Sequence, residues 1–202
     1  MNKALMVILA TVALDAIGAG LIFPILPELL AQLTEGGDIA VLYGTMLGVY
    51  ALMQFVFSPV LGALSDRYGR RPVLLLSLAG TLVDYLVMAL SPLGWVLVVG
   101  RAMAGITSAN MAVASAYITD ITPAEQRAQR FGLIGAVMSA GFIIGPVIGG
   151  LMGSVWLRSP FLVAALFNGV NFLVALFVLP ESRKAMKGRF ELASLNPLAP
   201  LV

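Results

Sequence analysis

The feature that most constrains this chain is the recurrence, along nearly all of its length, of apolar runs long enough to cross about 30 Å of hydrocarbon as helices. Six runs, near residues 4–30, 42–64, 73–91, 95–118, 131–153 and 160–179, are predicted as membrane spans. The fold class follows: an all-α membrane protein with six transmembrane helices. Composition agrees, because 60% hydrophobic and 11% charged residues, with a mean hydropathy of +0.99, exceed what a soluble domain tolerates. The first run, from about Ala4, is too long for a signal-peptide core, contains Asp15 and lacks a small-residue cleavage site, so it reads as the first span.

Basic residues fall on one side of these spans. The amino terminus, the 65–72 loop, the 119–130 loop and the tail hold Lys3, Arg67, Arg70, Arg71, Arg127, Arg130, Arg183, Lys184, Lys187 and Arg189, while the opposite side has Arg158. Short Lys/Arg-rich loops stay cytoplasmic, which places both termini inside and makes the span count even. The 31–41 loop carries Glu35 and Asp38 with no basic residue, and Ser91-Pro92-Leu93-Gly94 carries no charge, as suits the far side. The formal charge of +2, spread over separate loops, argues against nucleic acid as a partner. With no cysteine and no histidine, thiolate metal sites and imidazole proton carriers are absent, so proton chemistry falls to carboxylates. Residues 62–72 laid on 150–160 put Gly62, Arg70 and Pro72 on Gly150, Arg158 and Pro160 at loops of opposite sidedness, the pattern of an inverted three-plus-three repeat. The expected organisation is a bundle over residues 1–180 and the start of a cytoplasmic linker over 181–202.

Three ionisable residues lie within the spans: Asp15, Asp84 and Arg101. Charge at depth in a bilayer is expensive and usually faces a bundle interior or a wet cavity. Asp84 and Arg101 sit at similar depths on consecutive helices and are predicted to pair, either as part of a transport site or as a staple between two helices. Asp15, midway along its span, has no evident basic neighbour, and a carboxyl so placed loads or releases a proton as its surroundings change. Gln54, Asn110, Asn168 and Asn171 either bind a substrate or bond neighbouring helices.

Gly141, Gly145 and Gly149 form one helical stripe, with Pro146 and Gly150 beside it, and allow close backbone approach. In the fourth span Arg101, Gly105, Ala109 and Ala112 are expected to share a face. The segment from Gly62 to Pro72 reads as a tight turn with Asp66 among Arg67, Arg70 and Arg71, and with Gly69 near its centre, a cluster suited to latching the cytoplasmic face.

On these residues the chain resembles the major facilitator superfamily. The 62–72 segment is similar to that family's signature between helices two and three, Arg101 with Gly105 to its proton-coupling signature, and Gly141 to Gly150 to its antiporter signature. More narrowly, Leu14 to Pro24, Arg70 to Leu78 and Val83 to Leu86 resemble tetracycline efflux antiporters, and the resemblance covers essentially the whole chain. It implies half of a twelve-helix transporter of the bacterial inner membrane that exchanges a drug for protons. A metal-tetracycline chelate is the implied substrate. Mg2+ or a similar ion would arrive as part of that chelate, with no cofactor held by the protein. The resemblance further implies substrate and proton handling at Asp15, Asp84 and Arg101, a cytoplasmic gate including Asp66 and Arg70 with Asp120 as partner, and a carboxy-terminal six-helix half that these residues do not include. Export of another drug or metabolite, or a membrane module that does not transport, are the alternatives. An enzyme is disfavoured, since no nucleophile with a base, metal-ligand cluster or phosphate loop is evident.

Overall fold

The computed structural model describes residues 3–34, 38–108 and 110–182. Among these it contains seven helices and no strand: α1 Lys3–Leu33, α2 Ile39–Tyr68, α3 Arg70–Leu90, α4 Gly94–Thr107, α5 Asn110–Ile121, α6 Ala124–Gly153 and α7 Ser159–Val178. They make six membrane spans, α4 and α5 sharing the fourth, and the chain is a multi-pass membrane protein. The expected linker beyond Ser182, with Arg183, Lys184, Lys187 and Arg189, lies outside the described residues, as do Glu35 and Ala109.

Three expectations are corrected. The fourth span is not one helix: α4 ends at Thr107, and Ser108 leaves helical geometry with ψ 80° before α5 begins at Asn110. The Gly62–Pro72 turn is mostly helix, because α2 runs to Tyr68 and α3 starts at Arg70, leaving Gly69 alone to reverse the chain. Its φ of 104° lies in a region that residues with a Cβ rarely adopt, which is why glycine stands there. The 119–130 loop shrinks likewise, since α6 already begins at Ala124. Polar and charged residues misled the boundary in both cases: outside the hydrocarbon a helix continues without apolar side chains.

In lipid, burying apolar surface drives helices together only weakly, so close packing of small residues must do more of the work. The α1/α6 contact is built this way. A Cβ on Gly145 would lie 2.4 Å from Ile17 O and 2.9 Å from Gly20 Cα, and one on Gly141 would lie 2.6 Å from Ala16 Cβ. Gly149 faces Leu21 O at 3.2 Å by the same measure, whereas Gly150 faces open space and takes no part. Pro146 lies against Gly20.

Helices α3 and α7 are antiparallel and each arginine-capped at the far end by the other. Arg71, at the start of α3, donates to Leu176 O in the last turn of α7; Arg158, preceding α7, donates to Ala89 O in the last turn of α3 at 3.0 Å. The sequence echo lays Arg158 on Arg70, but the arginine with the matching task is its neighbour Arg71, while Arg70 binds within its own end of the bundle. Cations there also suit the negative ends of both helix dipoles.

Two apolar clusters fill the interior. One gathers Ile8, Leu74, Leu78, Tyr117 and Ile118 toward the ends of α1 and α7 that carry Lys3 and Val178; the other gathers Leu26, Met88, Leu97 and Phe161 toward the opposite ends. Between them α1 passes through a polar layer containing Asp15.

Candidate functional site

That layer opens into a cavity of about 400 Å3 to which six helices contribute: Asp15 from α1, Tyr50 and Gln54 from α2, Asp84 from α3, Arg101 from α4, Asn110 from α5 and Phe142 from α6. The five residues singled out in the sequence as substrate or proton ligands, Asp15, Gln54, Asp84, Arg101 and Asn110, therefore line one space. Its volume lies within the range of about 300–1,000 Å3 usual for small-molecule sites. Apolar walls from Ile22, Phe23, Met138 and Phe142 surround the polar groups.

The two carboxylates keep different company. Asp84 is paired with Arg101 through a short contact between Oδ2 and Nη2, both side chains being buried. The Arg101 guanidinium also lies 5.4 Å from the centre of the Tyr50 ring. Asp15 instead accepts a hydrogen bond from the neutral Asn110 amide, Nδ2 to Oδ1, at 2.9 Å. Asp84 Oδ1, Arg101 Nε and Asn110 Oδ1 are buried with no hydrogen-bond partner among the described residues. Three orphaned polar atoms around one cavity are uncommon in a finished core and suit a site that receives a ligand.

Local sequence explains the placement. Tyr50 and Gln54 are one turn apart on α2, and both reach Ser108 Oγ at 2.9 Å, where the fourth span is interrupted. Gly105 makes the α2/α4 approach possible: a Cβ there would come within 2.6 Å of Tyr50 O. The interruption also carries the chain off the predicted Arg101–Ala112 face, for Arg101 and Gly105 are buried and Ala112 is exposed. Of the remaining polar candidates, Asn171 donates to Thr11 Oγ1 at 2.9 Å and so joins α7 to α1, while Asn168 is buried away from the cavity lining.

A second cluster forms at the α2/α3 reversal. Arg70 contacts Asp66 at 2.7 Å, Asp120 at 3.1 Å and Ser65 Oγ at 2.7 Å, so one guanidinium gathers α2, α3 and α5. Gly62 joins this centre through its carbonyl, which accepts from Ser65 Oγ at 2.8 Å, while Arg71 turns to α7 and Arg67 lies over the Tyr68 ring at 5.4 Å. Sequence reasoning passed over Glu181, whose carboxylate accepts from the backbone N–H groups of Arg70 at 2.8 Å and Arg71 at 3.2 Å and so caps α3. It also passed over Tyr50, Ser108 and Tyr85, which line the cavity as well. The turn spacing from Tyr50 to Gln54 was the available signal for the first.

The Major Facilitator Superfamily model matches residues 8–200. The chain belongs to that superfamily. It is 52% identical over 198 residues to the class C tetracycline resistance protein of Escherichia coli, covering 98% of this chain and 50% of that protein. Identity is 49% to the class B protein of Escherichia coli, over 91% of this chain and 46% of the relative. It is 31% to the quinolone resistance protein NorA of Staphylococcus aureus, over 95% of this chain and 49% of the relative. The chain thus spans about half the length of these superfamily members. Among solved structures, the human organic anion transporter MFSD10 superposes with a TM-score of 0.82 at 27% identity, over 98% of this chain and 53% of that one. The peptide transporter POT superposes at 0.76 and 16% identity, over 87% of this chain and 37% of that one, a likeness of fold alone.

Proposed function

We propose that this six-helix unit forms the amino-terminal side of a proton-coupled antiporter that exports a small drug, a metal-tetracycline complex foremost, by alternating access. The observation that carries the reading is the cavity itself: two carboxylates, one matched by arginine and one by a neutral amide, among unpartnered polar atoms and apolar walls. A carboxylate without a compensating cation takes either a proton or a cationic substrate. Competition between the two, with access alternating across the membrane, yields exchange. The names of the relatives support a tetracycline as substrate. A divalent ion such as Mg2+ would then enter chelated to the drug, Asp15 being the group suited to meet a cationic chelate.

The lopsided Lys and Arg distribution supports both termini being cytoplasmic, and the bacterial source of the relatives supports the inner membrane. A carboxy-terminal six-helix partner is supported by α2 and α6, whose apolar 18-residue stretches have 6% and 17% of their residues buried against 56% in α1. A second reading, export of another drug, is favoured by the similarity to a quinolone resistance protein.

The test supplies this chain with the carboxy-terminal half of the class C relative, confirms their co-purification, and measures Mg-tetracycline uptake into proteoliposomes under an imposed proton gradient. Uptake should fall at least tenfold in Asp15→Asn and in Asp84→Asn. Uptake that persists unchanged in both variants eliminates the mechanism.

A further inference from the structure

A second concavity, of about 420 Å3, runs between α1 and α7. Its walls are Val7, Ala10 and Leu14 of α1 and Val170, Val174 and Val178 of α7, with Lys3 at one end. We propose that this groove seats an acyl chain of an anionic phospholipid, with Lys3 holding the headgroup phosphate.

Three observations converge on that occupant. The first is direction: at 3.6 residues per turn, the groove residues of α1 centre about half a turn away from Asp15, Ala16 and Ala19, which line the polar cavity. The groove therefore looks away from the space around which a second half would close, toward lipid. The second is length. From Lys3 to Leu14 the helix rises about 16 Å, close to half of a hydrocarbon core of about 30 Å, so the groove spans one leaflet and ends where an acyl chain ends. The third is charge: the lining is apolar except at Lys3, on the mouth side, and at Asn171, whose amide is turned to Thr11. An ammonium at the interface above an apolar trough complements a phosphate above an alkyl chain, and basic pockets between helices at the cytoplasmic face are known to select anionic headgroups. The inference does not depend on what the polar cavity transports.

The experiment is native mass spectrometry of the full chain released from nanodiscs containing equal phosphatidylglycerol and phosphatidylcholine. Phosphatidylglycerol should be retained in preference, and Lys3→Gln should lower its retention about fivefold without changing that of phosphatidylcholine. Ala10→Trp and Val174→Trp fill the groove from opposite walls, so that a folding failure in one leaves the other informative; each should abolish the preference. Equal retention of both lipids, retention unaffected by Lys3→Gln, a folded filled-groove variant that retains the lipid, or a second copy of the chain in place of lipid would overturn the proposal.

Discussion

Removing Asp84 alone should cost this bundle far more than removing Asp84 and Arg101 together. Both side chains are buried, and the guanidinium has one ionic partner among the described residues, the Asp84 carboxylate. At hydrogen-bond separation and an effective dielectric of about 20, their attraction is about 5 kcal/mol. Much of that offsets the cost of keeping both ions from water, so the pair's net worth is small, but orphaning either one costs about 3–5 kcal/mol. Asp84→Leu should therefore lower the melting temperature in detergent by roughly 6–20 °C. The double variant Asp84→Leu/Arg101→Met should recover to within about 1 kcal/mol of the native chain, a large coupling in a double-mutant cycle. Additive losses in the double variant, or no loss in Asp84→Leu, would refute this account of the pair.

Further expectations follow from geometry. Gly145→Ala places a methyl against the α1 backbone, which no side-chain rotation relieves, and should destabilise by about 1–3 kcal/mol in thermal unfolding; Gly150→Ala, in open space, should be neutral. Gly69→Ala forces a Cβ into both a φ of 104° and the Glu181 carboxylate, and should speed amide exchange at the start of α3. Arg70→Lys keeps the charge but not the fork that spans Asp66, Asp120 and Ser65, and should raise proteolysis at the α2/α3 reversal.

Much of the fold was legible because lipid leaves few choices: a long apolar run must be a helix. The glycine stripe of α6 was legible too, since spacing by four has one geometric meaning on a helix, although spacing alone did not say that α1 would face it. Helix ends were less legible. Arg127 and Arg130 read as loop because they are charged, yet lie in the first turns of α6. The Asp84–Arg101 contact was foreseeable from matched depth, because each ion in lipid requires the other. Ser108 was not. Its break in the fourth span leaves no composition signal, and its bonds to Tyr50 and Gln54 join residues more than fifty positions apart. Glu181 was hidden for the same reason: only folding brings the chain beyond α7 to the first N–H groups of α3.

The account rests on Asp15 and Asp84 lining a cavity that water and drug enter, although the Asp84–Arg101 contact itself is buried. Because the chain has no cysteine, Gln54→Cys introduces a single thiol into that cavity, and Leu173→Cys introduces one on the exposed face of α7. Measured in membranes with a water-soluble maleimide, the thiol from Gln54→Cys should react quickly and be protected by Mg-tetracycline, while that from Leu173→Cys should remain unlabelled. Equal inertness at the two positions would mean that water does not reach the cavity, and the central claim would fail.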